Sequence, residues 1–219
     1  MQQQMCQAVD DYLNRLLVPE DPILRRVAAA NRRAGLPPHD VAPNQGKLLF
    51  IFARMVRARR ILEIGTLGGY STLWLARALP EDGELITLEC QEKHAAVARD
   101  NLKRAGLGAR VSLRVGPALA TLAAWDDMAP FDLIFIDADK VNNTAYLDWS
   151  LRLSHPGTVI IADNVIRGGA ILDSASQDAS VIGVRRFFAA LSANIKLTST
   201  ALQTVGCKGW DGLSLSIVN

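Results

Sequence analysis

The chain has 219 residues, 49% of them hydrophobic, and its 24 basic and 22 acidic residues give a formal net charge of +2 at pH 7. A chain of this length and composition can bury one substantial core, so we expect a single domain over residues 1–219. A dedicated binder of polyanions usually carries a basic excess, and this chain has none, although charge alone does not exclude a nucleic-acid substrate.

Three cysteines occur, and their positions predict neither a disulfide framework nor a zinc site. Cys6, Cys90 and Cys207 are odd in number and far apart, which is typical of a protein kept in a reducing compartment. The N-terminus lacks the basic and then apolar pattern of a signal peptide. No apolar stretch is long enough to span a membrane. The expected location is therefore cytoplasmic, with no membrane contact.

The first 59 residues have the apolar periodicity of helices. In the first segment, apolar side chains recur at helical spacing at Val9, Leu13, Leu16 and Leu17. A second helix is predicted over 22–31 and a third over 45–56. The proline-rich segment 35–43 separates them. We expect residues 1–59 to form a helical extension ahead of the main fold.

From residue 60 onward, strand-like and helix-like runs alternate. The strand-like runs lie at 60–65, 84–89, 110–115, 131–138 and 157–164. The helix-like runs lie at 70–78 and 91–105, from the third strand to about 125, from the fourth strand to 153, and at 181–192. This alternation predicts a parallel sheet with helices on both faces, joined by right-handed crossovers.

The chain ends differently, with two strand-like runs and no helix between them. Residues 196–204 and 213–218 are predicted to be strands, separated by GCKGWDG. They should pair antiparallel at one edge of the sheet. The predicted fold is thus an α/β, doubly wound, Rossmann-like core over 60–219, with seven strands that are mostly parallel, an antiparallel C-terminal hairpin and N-terminal helices.

The first strand is followed by a glycine-rich turn, EIGTLGGYS, at 63–71. Gly65 opens this turn, and its glycines let a ligand lie close over the strand end. A dinucleotide-binding fold would carry a further glycine at the position of Leu67, where the backbone approaches a pyrophosphate. The absence of that glycine disfavours a nicotinamide oxidoreductase.

Two acidic residues and a serine indicate what this turn could bind. Glu63, inside the first strand, could meet an ammonium group, and Glu89, at the end of the second, is well placed for two ribose hydroxyls. Ser71, at the start of the next helix, could bind a carboxylate together with the helix N-terminus. S-adenosylmethionine, a nucleoside with a cationic tail and no phosphates, fits these groups. As alternatives, Glu63 could be a surface or salt-bridged residue and Glu89 an ordinary strand-end charge.

Polar side chains also follow the fourth and fifth strands. Asp137 ends the run FDLIFID, and Asp163 and Asn164 end the fifth strand. Neighbouring parallel strands lie about 4.8 Å apart and end at the same edge of the sheet, so these side chains should converge. Three oxygen donors, two of them anionic, suit a hard divalent cation such as Mg²⁺ or Ca²⁺.

Lys140 follows Asp137 by three residues and could reach a substrate held on that cation. The alternatives for Lys140 are a solvated side chain or an ion pair with Asp137. Asp139 could orient the donor or cap the following helix.

These segments together resemble the cation-dependent O-methyltransferases of the caffeoyl-CoA and catechol type, within the class I S-adenosylmethionine-dependent methyltransferases. The matching segments span nearly the whole chain, at VAPNQGKLL (41–49), LEIGTLGGYST (62–72), GPAL (116–119), FIDADK (135–140), ADN (162–164) and GCKGWDG (206–212). The resemblance implies S-adenosylmethionine as methyl donor, a divalent cation (Mg²⁺ ahead of Ca²⁺ or Mn²⁺) and a small phenolic substrate. It also implies a homodimer in which the N-terminal helices help to form the interface.

The resemblance implies roles for individual residues as well. The cation ligands would be Asp137, Asp163 and Asn164. The contacts to the donor would come from Val41, Glu63, Gly65, Ser71, Glu89, Ala118 and Asp137. Lys140 would be the general base that takes a proton from one of two vicinal hydroxyls, after which the phenolate attacks the sulfonium methyl group.

Two segments depart from the family pattern, and both are expected at the acceptor site. Asn143 stands where many relatives carry a tyrosine, and Arg167-Gly168-Gly169 stand where plant members carry a segment containing Trp-Asn. The resemblance therefore does not extend to a CoA ester as acceptor. Trp210 is expected either to line the acceptor pocket or to lie in the core of the terminal hairpin.

The leading hypothesis is a metal-dependent methyltransferase acting on a catechol-like small molecule. One alternative places the same chemistry on a hydroxylated uridine of tRNA, with a basic patch formed by Arg25-Arg26, Arg32-Arg33 and residues 57–60. The near-neutral net charge gives that alternative no support, and such clusters are more often solvated helix faces. A non-enzymatic binding protein is disfavoured, because a binder needs neither Lys140 nor the cation ligands.

Overall fold

The computed structural model describes residues 2–125 and 127–219, and these form one seven-stranded sheet flanked by helices. The strands are β1 (Arg60–Ile64), β2 (Glu84–Glu89), β3 (Val111–Val115), β4 (Phe131–Ile136), β5 (Ser154–Asp163), β6 (Leu197–Gly206) and β7 (Gly209–Val218). Their order across the sheet is β3-β2-β1-β4-β5-β7-β6, and β7 runs opposite in direction to the other six strands. The predicted fold class is confirmed, including the antiparallel pair at one edge.

Eight α-helices lie in these described residues. They are α1 (Gln2–Leu17), α2 (Pro22–Arg33), α3 (Pro43–Met55), α4 (Tyr70–Ala78), α5 (Glu92–Arg104), α6 (Ala118–Ala123), α7 (Asn143–Arg152) and α8 (Ala179–Ala193). Every predicted helix is present, with bounds that differ by a few residues. The connection after β4 differs in kind, because it begins with a 3₁₀ turn, Lys140–Asn142, before α7. Within this part of the chain, no helix is long and apolar enough to cross a membrane.

The central strands are covered on both faces because their side chains alternate between two apolar cores. In β1, Ile61 packs with residues of α2, α3 and α4, whereas Leu62 and Ile64 pack with residues of α7 and α8. All three side chains are buried. Since burying one such side chain stabilises a fold by about 1.5–3 kcal/mol, both layers of helices contribute to holding this strand in place.

The strand register decides which residues meet at the carboxyl edge of the sheet. Ile136 at the end of β4 pairs with Ile64 of β1 on one side and with Ala162 of β5 on the other. Asp137 directly follows β4 and Asp163 is the last residue of β5, so the register sets these two acids side by side.

The terminal hairpin is longer and its turn shorter than the sequence predicted. β6 and β7 extend to Gly206 and Gly209, so only Cys207 and Lys208 form the turn, and the segment GCKGWDG is mostly strand. Gly206 and Gly209 have φ values of 157° and 90°, which favour glycine and permit so tight a turn. The prediction treated the glycines as a loop, whereas they fold the strand back on itself.

Helix α1 is confirmed, but its apolar stripe does not enter the core of the chain. Its large apolar side chains are between 38% and 65% exposed, at Met5, Val9, Tyr12, Leu13, Leu16 and Leu17. Polar contacts hold the other face instead. Asp10 accepts hydrogen bonds from the Cys207 backbone N–H (2.9 Å) and from Asn44 Nδ2 (3.0 Å), and Gln3 donates to the Gly206 carbonyl (2.7 Å).

Candidate active site

A cavity of about 530 Å³ opens at the carboxyl ends of β1, β2 and β4. In doubly wound sheets this edge is where ligands bind, near the point at which the strand order reverses. Most residues expected at the donor and acceptor line the cavity, namely Val41, Gly65, Ser71, Glu89, Ala118, Asp137, Lys140 and Asn164. Two expected site residues, Glu63 and Asp163, do not line it.

The glycine turn after β1 brings the backbone directly against the end of β4. Gly65 has φ +103°, and a Cβ added there would lie 2.1 Å from the Asp137 carbonyl oxygen. Any side chain at this position would therefore push β1 and β4 apart. The Asp137 backbone N–H donates a hydrogen bond to the Ile64 carbonyl at 2.8 Å, which joins the ends of β4 and β1.

Glu89 is held in place by the same turn. Its Oε2 accepts hydrogen bonds from the backbone N–H groups of Leu67 (2.8 Å) and Thr66 (3.3 Å), and its Oε1 accepts from Gln91 N–H (2.9 Å). The side chain is buried yet lines the cavity. An ordinary exposed strand-end charge would have neither property. Each carboxylate oxygen can accept a further hydrogen bond, which is what two ribose hydroxyls need.

Glu63 lies behind the cavity wall. Because strand side chains alternate, it points to the same face as Ile61, beneath the first turn of α4. Ser71 Oγ (2.6 Å), Thr87 Oγ1 (2.7 Å) and Thr72 Oγ1 all donate to its carboxylate. Burial raises the pKa of Glu63 to about 7, although the three hydroxyls oppose that rise.

This arrangement decides against both alternatives considered for Glu63. Its side chain is 0% exposed and makes no ion pair within the described residues, so it is neither a surface nor a salt-bridged acid. Ser71 does line the cavity and donates to Glu63. The expected contact between Glu63 and a bound ammonium group stays a prediction.

Asp137 and Asp163 form the acidic part of the site. Asp163 is buried; its Oδ2 accepts a hydrogen bond from Gln45 Nε2 (2.6 Å) and its Oδ1 from the Asn164 backbone N–H (2.8 Å). Burial first, and the neighbouring Asp137 second, raise the pKa of Asp163 to about 7, while Lys140 acts in the opposite direction. The strand register places the two carboxylates side by side, and like charges at such a spacing disfavour ionisation of both.

The donor chemistry of this cluster fits a divalent cation. No group of three or more His, Cys, Asp or Glu residues with metal-site geometry occurs in residues 2–125 and 127–219, so a site here would consist of the two carboxylates and the Asn164 amide oxygen. Such all-oxygen sets, completed by water or substrate oxygens, suit Mg²⁺ and similar hard ions. A positive charge would also offset the repulsion that raises the pKa of Asp163.

Lys140 is buried beside these acids. Its side chain is only 8% exposed, and Nζ lies 3.1 Å from Asp137 Oδ1. The alternative of a solvated lysine is therefore wrong, and the ion pair with Asp137 is present. The Lys140 backbone is packed against α8, since a Cβ added to Gly183 would lie 2.2 Å from the Lys140 carbonyl oxygen.

Asp139 does not cap the following helix with its side chain. It lines the cavity and accepts hydrogen bonds from Tyr146 Oη (2.6 Å) and Asn142 Nδ2 (2.6 Å). Burial and the adjacent Asp139 raise the pKa of Tyr146 well above its usual value. Tyr146 therefore remains a hydrogen-bond donor that fixes the direction of the Asp139 carboxylate.

Several cavity residues had no signal in the sequence. His39, Asp40, Tyr146 and Ser180 come from segments that read as loops or ordinary helix. Asp40 is held by a hydrogen bond from Asn31 Nδ2 (2.9 Å). These residues belong to elements that reach the cavity only when α2, α7 and α8 pack around the sheet.

Two expectations about the acceptor region are corrected. Asn143 is fully buried, does not line the cavity, and has no hydrogen-bond partner for its side-chain amide among the described residues. Trp210 is 46% exposed, donates to Gln203 Oε1 at 2.9 Å, and lies neither in the core nor in the cavity wall. Its ring packs instead against the backbone of Gly169. Among the residues that depart from the family pattern, Arg167 does line the cavity.

The fold and the cavity together are typical of enzymes that bind a nucleoside without a pyrophosphate. The sheet presents a fixed acid, Glu89, at the end of β2, and the turn after β1 lacks the second glycine that a pyrophosphate requires, with Leu67 in its place. Beside this donor end lie a buried lysine and a cluster of oxygen ligands. Group transfer from a nucleoside-like donor is what this arrangement can support.

Comparison with known proteins specifies the class further. The model of the O-methyltransferase family matches residues 16–216. Catechol O-methyltransferase of Niastella koreensis is 50% identical over 220 residues, covering 100% of both chains. The solved O-methyltransferase from Bacillus cereus, in complex with SAH, is 51% identical, with a TM-score of 0.97 and coverage of 99% of each chain. The O-methyltransferase TomG from Streptomyces achromogenes, involved in tomaymycin synthesis and solved with SAM, is 47% identical, with a TM-score of 0.96, and covers 100% of this chain and 99% of its own.

The chain belongs to the O-methyltransferase family. The resemblance drawn from the sequence segments is thereby confirmed, as is the expected enzyme class. A nicotinamide oxidoreductase and a non-enzymatic binding protein are no longer alternatives.

Proposed function

We propose that this enzyme moves a methyl group from S-adenosylmethionine to one hydroxyl of a catechol-like small molecule, with a divalent cation, expected to be Mg²⁺, at the acceptor. One observation carries the proposal. Asp137 and Asn164 line a cavity together with the buried Lys140 and with Glu89, and the strand register places Asp163 beside Asp137. The relative named catechol O-methyltransferase, at 50% identity over the full length, supports the same acceptor class.

The donor assignment rests on chemistry that the cavity offers. The Glu89 carboxylate is fixed by three backbone N–H groups and is available to ribose hydroxyls. Gly65 and Ser71 line the wall near the first turn of α4, and Val41 and Ala118 supply apolar wall. Two relatives about half identical to this chain were solved with SAM or SAH, which supports the same donor here.

The acceptor would be activated by Lys140. The cation, held by Asp137, Asp163 and Asn164, would lower the pKa of a vicinal diol hydroxyl and stabilise the resulting oxyanion. Lys140 in its neutral amine form, held by the hydrogen bond from Nζ to Asp137 Oδ1 at 3.1 Å, would accept the hydroxyl proton and become an ammonium paired with that carboxylate. The phenolate oxygen then bonds to the methyl carbon as the carbon–sulfur bond breaks, which leaves S-adenosylhomocysteine. Holding the two reactants in line can supply several kcal/mol of the rate enhancement, about 7 or more in favourable cases.

A second copy of the chain is proposed as the partner that covers α1. The exposed apolar stripe of this helix faces away from its own domain, and contiguous apolar surface of this kind usually marks an interface. Replacing Leu16 by Lys should convert a dimer to a monomer in sedimentation equilibrium. A wild-type chain that sediments as a monomer would contradict the proposal.

A tRNA acceptor is the weaker alternative. Three of the seven arginines of the expected basic patch are paired with acids, Arg25 with Glu20, Arg59 with Asp82 and Arg60 with Glu84. A phosphate-binding surface needs cations that are available to the backbone of the nucleic acid.

The cytoplasmic location and single-domain organisation stay predictions, and the three free cysteines are compatible with a reducing compartment.

The test is methyl transfer from S-adenosylmethionine to catechols and to their monohydroxy analogues, each with Mg²⁺ and with EDTA. Transfer only to vicinal diols, and only with the cation, is the expected result. Asp163→Asn should abolish this transfer while donor binding, measured by calorimetry, stays within a few-fold. Asp148→Asn removes an exposed carboxylate of α7 and serves as the matched control. Equal transfer to monophenols in EDTA would overturn the role of the cation.

A further inference from the structure

A cationic side chain stands in the cavity wall without a carboxylate to neutralise it. Arg167 lines the cavity together with Asn164 and Ser180. It lies three residues after Asn164, which is an expected ligand of the cation at the acceptor. It is partly buried. Within the described residues, its guanidinium has no acidic group within 4.0 Å and no hydrogen-bond partner, and only its backbone N–H is engaged.

The backbone at Arg167 is held in a conformation that a non-glycine residue rarely adopts. Its φ is +55°, which costs roughly 1–2 kcal/mol for an L-residue. Asp211 Oδ1 compensates by accepting hydrogen bonds from the Ile166 (2.9 Å) and Arg167 (3.1 Å) backbone N–H groups. The same oxygen accepts from Gly212 N–H at 2.9 Å, so β7 anchors the loop.

The next turn of this loop is fixed as well. Gly169 has φ +86°, and a Cβ added there would lie 2.8 Å from the ring of Trp210. The Gly169 backbone N–H also donates to the Ile166 carbonyl at 3.0 Å. Strain that the surroundings over-determine in this way is typical of functional positions, where it orients a side chain toward a ligand.

The acids of the cavity are already engaged by other groups. Asp137 pairs with Lys140, Asp139 accepts from Tyr146 and Asn142, and Asp40 accepts from Asn31. Glu89 is held by the turn after β1 at the donor end. A cation in a partly desolvated cavity is best stabilised by an anion that bonds to it directly. No acid of the described residues fills that place, so a ligand anion can.

We propose that Arg167 binds an anionic substituent, a carboxylate above all, on the catechol acceptor. The inference rests on the proposed function, and it narrows the acceptor class to dihydroxyaryl carboxylates over neutral or cationic catechols. Asn164 and Arg167 belong to one loop after β5. The two hydroxyls of such an acceptor would lie at the Asn164 end of the loop and its carboxylate at the Arg167 end. The planar guanidinium, with paired N–H donors, matches a carboxylate in geometry as well as charge.

The test compares three acceptors of nearly equal shape, which are 3,4-dihydroxybenzoate, its methyl ester and 3,4-dihydroxybenzylamine. The wild-type enzyme should prefer the carboxylate over the ester by roughly tenfold in kcat/KM, as expected of one charge-assisted hydrogen bond, and the amine should be poorest. Arg167→Gln should bring the carboxylate-to-ester ratio near one, and Arg167→Lys should retain part of it. Arg186→Gln, which removes an exposed arginine of α8 outside the cavity, should leave the ratio at its wild-type value.

Equilibrium binding gives a second measurement that does not depend on turnover. With SAH and Mg²⁺ present, the Kd of 3,4-dihydroxybenzoate should rise about tenfold in Arg167→Gln, and the ratio to the ester should fall with it. Equal use of carboxylate and ester by the wild-type enzyme would overturn the inference and leave the proposed function standing. No methyl transfer to any of the three acceptors, with SAM bound, would instead overturn the proposed function and the inference with it.

Discussion

Gln45 Nε2 donates a hydrogen bond of 2.6 Å to Asp163 Oδ2, and so joins the first turn of α3 to the end of β5. The connection continues toward the N-terminus. Asn44 accepts from the Gln45 backbone N–H through its own Oδ1 (2.9 Å) and donates to Asp10 (3.0 Å). Asp10 in turn accepts from the turn of the terminal hairpin at Cys207 (2.9 Å). The helical extension is thus hydrogen-bonded to a proposed cation ligand.

Gln45→Ala should weaken binding of the cation. The Gln45 hydrogen bond favours the ionised form of Asp163, whose pKa burial has already raised to about 7. Its loss should raise that pKa further, so cation binding should shift to higher pH and weaken by about tenfold at neutral pH, as for other residues that orient metal ligands. Titration with Mn²⁺, followed by electron paramagnetic resonance, measures the change. Gln177→Ala, in an exposed loop, is the control; unchanged Mn²⁺ affinity in Gln45→Ala would show that Asp163 needs no such support.

Lys140→Met should lower kcat by about a hundredfold or more, which is the usual contribution of a positioned general base. Methionine keeps a long apolar stem in a site where the side chain is 8% exposed, so the cavity should stay filled. Donor affinity should change little. Single-turnover kinetics separate the chemical step from binding, and Lys103→Met on the exposed face of α5 controls for the loss of a lysine. Full activity in Lys140→Met would remove this side chain from the mechanism.

Gly183→Ala should both destabilise the enzyme and slow it. The new methyl group would lie 2.2 Å from the Lys140 carbonyl oxygen and 2.8 Å from Val141 Cα, so α8 and the turn that carries Lys140 would have to separate. Overpacking of this kind costs about 1–3 kcal/mol. Urea unfolding measures the loss, and kcat reports the displacement of Lys140. Gly108→Ala is the matched control, since its nearest neighbour, Lys103 Cα, lies 3.9 Å away; similar losses in both variants would refute the packing argument.

The stability of the enzyme should depend on His155 in a pH-dependent way. His155 Nδ1 lies 2.8 Å from the Pro156 carbonyl and Nε2 lies 2.9 Å from Asp132 Oδ1, and these contacts raise the pKa of His155. Burial alone would raise the pKa of Asp132, but the Arg59 and Arg60 backbone N–H groups and His155 outweigh it and lower that pKa.

The sign of the pH effect follows from these directions. A raised His155 pKa means that its contribution is fully present below the unfolded value, about 6.5, and is lost as pH rises through the folded value. His155→Gln should therefore lower the free energy of unfolding more at pH 5.5 than at pH 8.5. Both side chains are partly exposed, so screening should keep the difference below about 1 kcal/mol. Urea unfolding at the two pH values decides the matter, and an equal loss at both would mean that the charged pair adds nothing.

Much of the fold could be predicted from local sequence. The apolar run that ends at Asp137 and the run that ends at Asp163-Asn164 mark strands, because a buried strand is a short apolar segment bounded by polar residues. The alternation with helices predicts a parallel sheet, and a parallel sheet ends its strands at one edge. The side-by-side placement of Asp137 and Asp163 therefore followed from sequence alone, and so did the positions of Gly65 and Glu89 beside the cavity.

Only the tertiary structure decided where the other groups act. It placed Ser71 where its hydroxyl donates to Glu63, left the apolar stripe of α1 uncovered, and gave Arg167 no acid to pair with among residues 2–125 and 127–219. It also bonded Gln45 to Asp163 across 118 positions of the chain. The physical reason is that these two kinds of feature depend on interactions of different range along the chain. Periodicity and strand ends are properties of neighbouring residues, whereas burial, ion pairing and the walls of a cavity depend on which distant helices pack against the sheet.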